Sequence, residues 1–188
     1  GQEKGSGIIT RNSYPAWTEK KAGRAMDVYL IRHAEAVALG EQGITDDADR
    51  PLTEKGRKDA RATARVLGNL QPPIDWWMSS TALRARETSH IVLTALDLEH
   101  EVHFDDNIYL APPERLLAIL AIAPANAEHI AIVGHNPGLE ELVAGLCAGG
   151  ALNLNFRLPT GAVAYIELEI ARWDQLRWGC GELRMLVS

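Results

Sequence analysis

Met26-Asp27-Val28-Tyr29-Leu30-Ile31-Arg32-His33-Ala34-Glu35 starts as a nearly continuous apolar run, then turns to charge and imidazole at Arg32 and His33. A run that is apolar at successive rather than alternate positions fits a strand covered on both faces, so 27–31 is expected at the centre of a sheet. His129-Ile130-Ala131-Ile132-Val133 repeats the pattern and leaves through Gly134-His135-Asn136-Pro137-Gly138. Another strand is expected over Ile74 to Met78 and a weaker one over Glu101 to Phe104. Ala162 to Ile170 and Leu176 to Val187 read as a hairpin turning near Arg172 to Asp174.

Helical stretches separate these runs. Thr53 is an N-cap candidate with Glu54 in the first turn; Ala60, Ala64 and Leu67 follow at helical spacing, and Gly68 closes the helix. Leu83 to Leu96 carries Ala85, Thr88, Val92 and Ala95 along one side. Pro112-Pro113 opens a third helix through Ile122, because proline is tolerated in a first turn. Pro137 to Cys147 is a fourth, closed by Gly149-Gly150. Strands alternating with helices predict a three-layer α/β/α sandwich around a mainly parallel central sheet. In such sheets ligands bind beyond the carboxyl ends of the strands.

Composition narrows the function. A chain of 188 residues, 46% apolar and 23% charged, suits one soluble domain with a short extension. Residues 1–25, which lack either periodicity, read as that extension, an arm or vector-derived, ahead of a single domain over 26–188. Nineteen Lys and Arg against 25 Asp and Glu give 19 − 25 = −6, which argues against a nucleic-acid partner. No apolar stretch approaches the ~20 residues of a membrane span, and residues 1–25 hold no signal-like apolar core. Cys147 and Cys180 are too few for a disulfide framework and are not spaced as metal ligands, so a reducing, cytoplasmic setting is expected.

The chemistry gathers at the strand ends. If the strands ending at Ile31 and Val133 are neighbours, His33 and His135 reach one crevice. A single histidine near a strand end is more often a structural donor; two, with Arg32 and a further basic loop, reverse that reading. The loop is Ser79-Ser80-Thr81-Ala82-Leu83-Arg84, where Arg84 sits beside a helix N-terminus that attracts anions. Guanidinium groups from Arg32 and Arg84 offer planar, bidentate donors to a tetrahedral dianion, so a phosphate pocket is expected. The alternative for Arg84 is a surface pair with Glu87 or Thr88. Arg50 is a further candidate contact, set against a solvated turn charge, and Asn136 another, set against a role in its own turn.

Taken in order, Arg32-His33-Ala34, Leu52-Thr53 with Gly56, Arg84-Ala85 with Thr88, and Gly134-His135 resemble the motifs of the histidine phosphatase, or phosphoglycerate mutase-like, superfamily. They stand where that family has Arg-His-Gly, Leu-Thr-x-x-Gly, a second arginine helix and a second histidine. The resemblance runs from Met26 to about Cys147. Arg50-Pro51-Leu52-Thr53 is complete and the segment between helices is short, which looks like the SixA-type phosphohistidine phosphatase branch. The resemblance implies a phosphoglycerate mutase-like fold. It also implies that His33 is the nucleophile: its unprotonated ring nitrogen attacks phosphorus, and water hydrolyses the phosphohistidine intermediate. Arg32, Arg84 and His135 would hold the phosphoryl oxygens, with Arg50 and Asn136 as further substrate contacts. Phosphoryl transfer needs positioning and charge stabilisation more than covalent help. Two arginines and an imidazolium supply both, so no cofactor and no metal is expected.

Two departures from the family pattern matter. Ala34 replaces the glycine after the nucleophile, which narrows the turn's conformations. Many relatives protonate the leaving oxygen with an acid from the segment before the third buried strand, and here Tyr109 or Leu110 falls in that place. Asp105, Asp106 and Glu114 read as solvated or helix-start charges. A site without a strong acid suits phosphoramidates better than alkyl esters, since an alkoxide departs poorly unprotonated. Only 135 − 84 = 51 positions separate Arg84 from His135, which leaves little chain for a capping insertion, so an open cleft is expected. Asp46, Asp47 and Asp49 beside its mouth should repel polyanions.

The leading expectation is therefore a phosphatase acting on phosphohistidine, its partner a phosphorylated protein or a small phosphorylated metabolite. The alternatives are a broad phosphomonoesterase, a mutase, a non-catalytic module that binds phospho-ligands, and a metal site at His33 and His135. The five tryptophans read as packing.

Overall fold

The computed structural model describes residues 26–69, 74–99, 101–149 and 156–188; the extension read at 1–25 lies outside the described residues. In chain order the elements are β1 (Met26–Arg32), α1 (Glu54–Asn69), β2 (Trp76–Ser79), α2 (Leu83–Leu96), β3 (Val102–Phe104), α3 (Pro113–Ala121), β4 (His129–Gly134), α4 (Gly138–Ala148), β5 (Val163–Leu168) and β6 (Gly181–Val187). The strands form one sheet in the order β3-β2-β4-β1-β5-β6. β1, β4, β2 and β3 run parallel; β5 is antiparallel to both β1 and β6. The sheet is thus mainly parallel, with β1 and β4 in its interior.

The unbroken apolar runs follow from this placement. Val28 and Leu30 of β1 join Ile130 and Ile132 of β4 in a core shared with Leu116 and Leu120 of α3 and Leu139 and Leu142 of α4. Tyr29 and Ile31 face the other way, joining Ala131 and Val133, Ala64 and Leu67 of α1, and Val92 and Leu93 of α2. Helices therefore cover both faces, giving three layers. Burying a side chain of this size contributes about 1.5–3 kcal/mol, so β1 is held from both sides although it ends in charged and polar residues.

Strand order places the crevice. β1 leads into α1 on one face, while its neighbour β4 leads into α4 on the other. Between strands whose helices leave on opposite faces a cleft opens at the carboxyl ends. Arg32 lies opposite Gly134 in the register, and the His33 N–H donates to the Gly134 carbonyl at 3.1 Å, so His33 and His135 emerge at the same level.

Thr53 caps α1, its Oγ1 accepting from the Gly56 N–H at 2.9 Å and donating to Glu35 Oε1 at 2.8 Å. Any side chain at Gly56 would overlap the Glu35 carbonyl oxygen, so glycine lets α1 lie directly against the loop after the nucleophile strand.

Two strands start two or more residues later than expected. β2 begins at Trp76 rather than Ile74; just ahead of it the Asp75 carboxylate accepts from the Glu128 and His129 N–H groups. β6 begins at Gly181 rather than Leu176. Trp173–Gln175 winds a 3-10 turn, the Trp173 Nε1 donates to the Ala127 carbonyl at 2.9 Å, and the Gly179 N–H donates to Gly145 of α4 at 3.0 Å. Tertiary contacts override the extended pattern there. Trp77 is fully buried, and Trp76 stacks on His103 with centroids 3.6 Å apart, as expected of packing; Trp17 lies outside the described residues.

Candidate active site

Three adjacent strand ends, those of β2, β4 and β1, supply the site. His33 follows β1, His135 follows β4, and Ser80 follows β2, with its N–H donating to the Val133 carbonyl at 3.0 Å. The two imidazoles lie with centroids 5.1 Å apart. Arg84, in the first turn of α2, is only 2% exposed and turns inward between them. Its Nε donates to His33 Nε2 at 3.2 Å, and its Nη2 lies 3.3 Å from His135 Nδ1. The surface pairing with Glu87 is not formed; Glu87 accepts instead from the Leu52 N–H and from Arg57.

These contacts fix both tautomers. His33 Nδ1 lies 2.7 Å from the Ala34 carbonyl, which only accepts, so Nδ1 carries the proton and Nε2 keeps its lone pair towards Arg84. His135 Nδ1 faces a guanidinium, which only donates, so its proton sits on Nε2, 2.8 Å from Ser80 Oγ. The main-chain turn at Ala34 is held by Thr88, whose Oγ1 accepts from the Ala34 N–H at 3.0 Å.

Arg32 and Asn136 close the other side. Arg32 Nη1 and Asn136 Nδ2 both donate to the Leu158 carbonyl at 2.9 Å, and the Leu158 N–H in turn donates to Glu140 at 2.7 Å. Arg32 Nε is buried without a hydrogen-bond partner, a donor available to an anion. Asn136 is at the site, its Nδ2 engaged and its Oδ1 buried without a hydrogen-bond partner. Arg50 enters from the loop before α1, as expected, its Nε donating to the Val37 carbonyl at 2.6 Å.

The residue that sequence reasoning misplaced is Asp47. It belongs inside the cleft, where its carboxylate accepts from Arg84 Nη2 at 2.8 Å, Arg50 Nη1 at 2.8 Å and the Tyr109 hydroxyl at 2.6 Å. Its carbonyl also accepts from Arg84 Nη1. Asp46 instead caps its own turn at the Ala48 N–H, Asp105 caps Asn107, and Asp106 accepts from Thr81. The cleft, about 330 Å³, is lined by Arg32, His33, Asp47, Arg50, Arg84 and His135, with Leu110 and Asn136 at its sides. Among the described residues no group of three or more His, Cys, Asp and Glu is placed to hold a metal ion.

The electrostatics are those of a cationic pocket that rejects further positive charge. Burial lowers the His33 pKa to about 4, and Arg84, Arg32 and Arg50 push the same way against the Ala34 hydrogen bond. Burial, with His33 and Arg84, lowers His135 to about 3. His135 is therefore held as a neutral imidazole by these surroundings. Burial opposes ionisation of Asp47, but the hydrogen bonds from Tyr109, Arg50 and Arg84 outweigh it and hold the carboxyl well below its usual range.

Both histidines have folded pKa values below the unfolded 6.5, so the stability they contribute is complete above pH 6.5 and drains away as pH falls towards 4. In an NMR titration of the imidazole C–H resonances, His33 and His135 are expected to stay neutral from pH 8 to about 5 and to titrate only near pH 4 and below. A midpoint near 6.5 for either would contradict this environment.

A model of the histidine phosphatase superfamily (branch 1) matches residues 28–108, a stretch that includes Arg32, His33, Gly56 and Arg84. The fold superposes on the phosphohistidine phosphatase SixA of Nakamurella multipartitia with a TM-score of 0.73 and 28% identity, covering 87% of this chain and 96% of that one. The family match over 28–108 and this likeness support the histidine phosphatase superfamily, SixA-like branch. A SixA protein histidine phosphatase complexed with tungstate gives 0.70 at 26% identity, covering 87% and 97%. The mitochondrial serine/threonine-protein phosphatase Pgam5 of Drosophila melanogaster is 42% identical over 91 residues, 48% of this chain but only 30% of the relative's length. An uncharacterized Mycobacterium leprae protein is 28% identical over 161 residues, 81% of this chain and 96% of that one. Among the described residues no helix is long and apolar enough to cross a membrane.

Proposed function

We propose that this protein is a cofactor-independent phosphatase that hydrolyses phosphohistidine on a protein through a phosphorylated His33. The orientation of His33 carries the reading: Nδ1–H is held by the Ala34 carbonyl, so the Nε2 lone pair points into a cleft whose cations suit a phosphoryl dianion. Nε2 attacks phosphorus and the P–N bond of the substrate breaks, its electron pair staying on the leaving nitrogen. Water then attacks the phosphoryl group on His33, releasing inorganic phosphate and returning the lone pair to Nε2. Arg84, released from Asp47, and the unpaired Arg32 Nε hold the oxygens as charge builds on them. His135 Nε2–H, now on Ser80, is the neutral donor beside them. The SixA likenesses and the open cleft support a protein-borne substrate, and the two free cysteines suit a reducing cytoplasm.

The test is phosphate release from a histidine-phosphorylated peptide by purified protein, in chelator, compared with an alkyl phosphate. Turnover of the peptide well above the ester supports the assignment. Comparable rates would move it to a broad phosphomonoesterase, and no turnover of either would remove the enzymatic reading.

A further inference from the structure

The reaction as described leaves one wall of the cleft without a role. Asp47, Tyr109 and Leu110 stand together beyond Arg84. The Tyr109 hydroxyl donates to Asp47 Oδ2 at 2.6 Å, and its ring meets His135 edge-on at 5.3 Å. Leu110 follows with φ at 48°, is 55% exposed and lines the same cleft. A leucine in the left-handed region is strained, and an exposed apolar side chain at the mouth of a charged pocket gains nothing in the isolated fold. Both features place an apolar surface next to an ionised carboxylate.

We propose that Asp47, Tyr109 and Leu110 form a leaving-group subsite for a protonated imidazole, with the ring N–H donating to the Asp47 carboxylate and the ring edge resting on Leu110. This rests on the phosphohistidine reading above and names what selects that substrate. When the distal ring nitrogen of phosphohistidine carries a proton, P–N cleavage releases a neutral imidazole and takes no proton from the protein. A carboxylate facing that N–H keeps the proton in place. The same carboxylate beside an ester oxygen opposes the negative charge growing on a departing alkoxide or phenolate, and it competes with the phosphoryl group for Arg84 and Arg50. Asp47 thus acts with opposite signs on the two substrate classes. The hydrogen bonds it accepts keep it ionised, so it is a specificity residue and not a proton donor.

The test compares kcat/KM of the wild-type chain and Asp47→Asn on a histidine-phosphorylated peptide and on an aryl phosphate, whose leaving group needs no proton. The variant is expected to lose about tenfold or more on the peptide and to gain several-fold on the aryl phosphate; that gain also shows that it is folded. Leu110→Ala is expected to raise KM for the peptide several-fold while lowering kcat little. Equal losses on both substrates, or a larger loss on an alkyl phosphate as expected of a general acid, would overturn the subsite and leave the phosphohistidine reading standing. A wild-type chain that turns over the aryl phosphate but not the peptide would overturn both.

Discussion

Replacing His33 by alanine is expected to lower kcat on a histidine-phosphorylated peptide by about 10³-fold or more, because it removes the atom that forms the new bond to phosphorus. Loss of a nucleophile cannot be offset by the remaining cations, which position the phosphoryl group but provide no second lone pair in line. His135 does not substitute: its Nδ1 faces the Arg84 guanidinium, and its Nε2 carries a proton towards Ser80. The variant should fold, since the N–H of residue 33 still donates to Gly134 and β1 keeps its packing on both faces. Steady-state phosphate release by a variant with an unchanged thermal midpoint checks this. Activity within tenfold of the wild type would remove His33 from the chemistry.

Replacing Arg84 by methionine is the second large effect, about 10²- to 10³-fold in kcat/KM, the scale seen when one preorganised donor to a developing charge is removed. Arg84 is worth more than a generic cation because its planar fork meets His33 Nε2, His135 Nδ1 and Asp47 together. Lysine, a point charge on a flexible stem, should recover only part of the loss. The same variant makes an electrostatic prediction of known sign. The guanidinium lowers the pKa of both histidines, so its removal should raise both midpoints in the NMR titration. Unchanged midpoints would mean that burial alone sets them.

Much of this site is legible in the sequence. Apolar runs at 27–31 and 129–133 that end in histidine point to buried parallel strands with polar ends, and the sheet makes them neighbours at matching level. Arg84 reads as a phosphate ligand because it lies in a first helical turn, and the structure turns it inward rather than to Glu87. What was not legible depends on contacts remote in sequence. Asp46, Asp47 and Asp49 look alike in a short acidic turn; contacts with Tyr109 and Arg84, both remote in sequence, select Asp47 for the cleft. The Leu158 carbonyl that orients Arg32 and Asn136 is main chain, and no residue type announces it. Gly56 carries a motif match whose physical cause, the Glu35 carbonyl against α1, appears only in the folded chain.

The chemistry turns on which nitrogen takes the phosphoryl group. Alkaline quenching during turnover of a histidine-phosphorylated peptide, followed by peptide mapping and phosphorus-proton NMR of the trapped chain, measures this directly. The expected result is a single phosphoryl group on Nε2 of His33, formed and consumed at the rate of phosphate release. A phosphoryl group on His135 or on Nδ1 of His33, or turnover with no phosphorylated protein at any time, would contradict it.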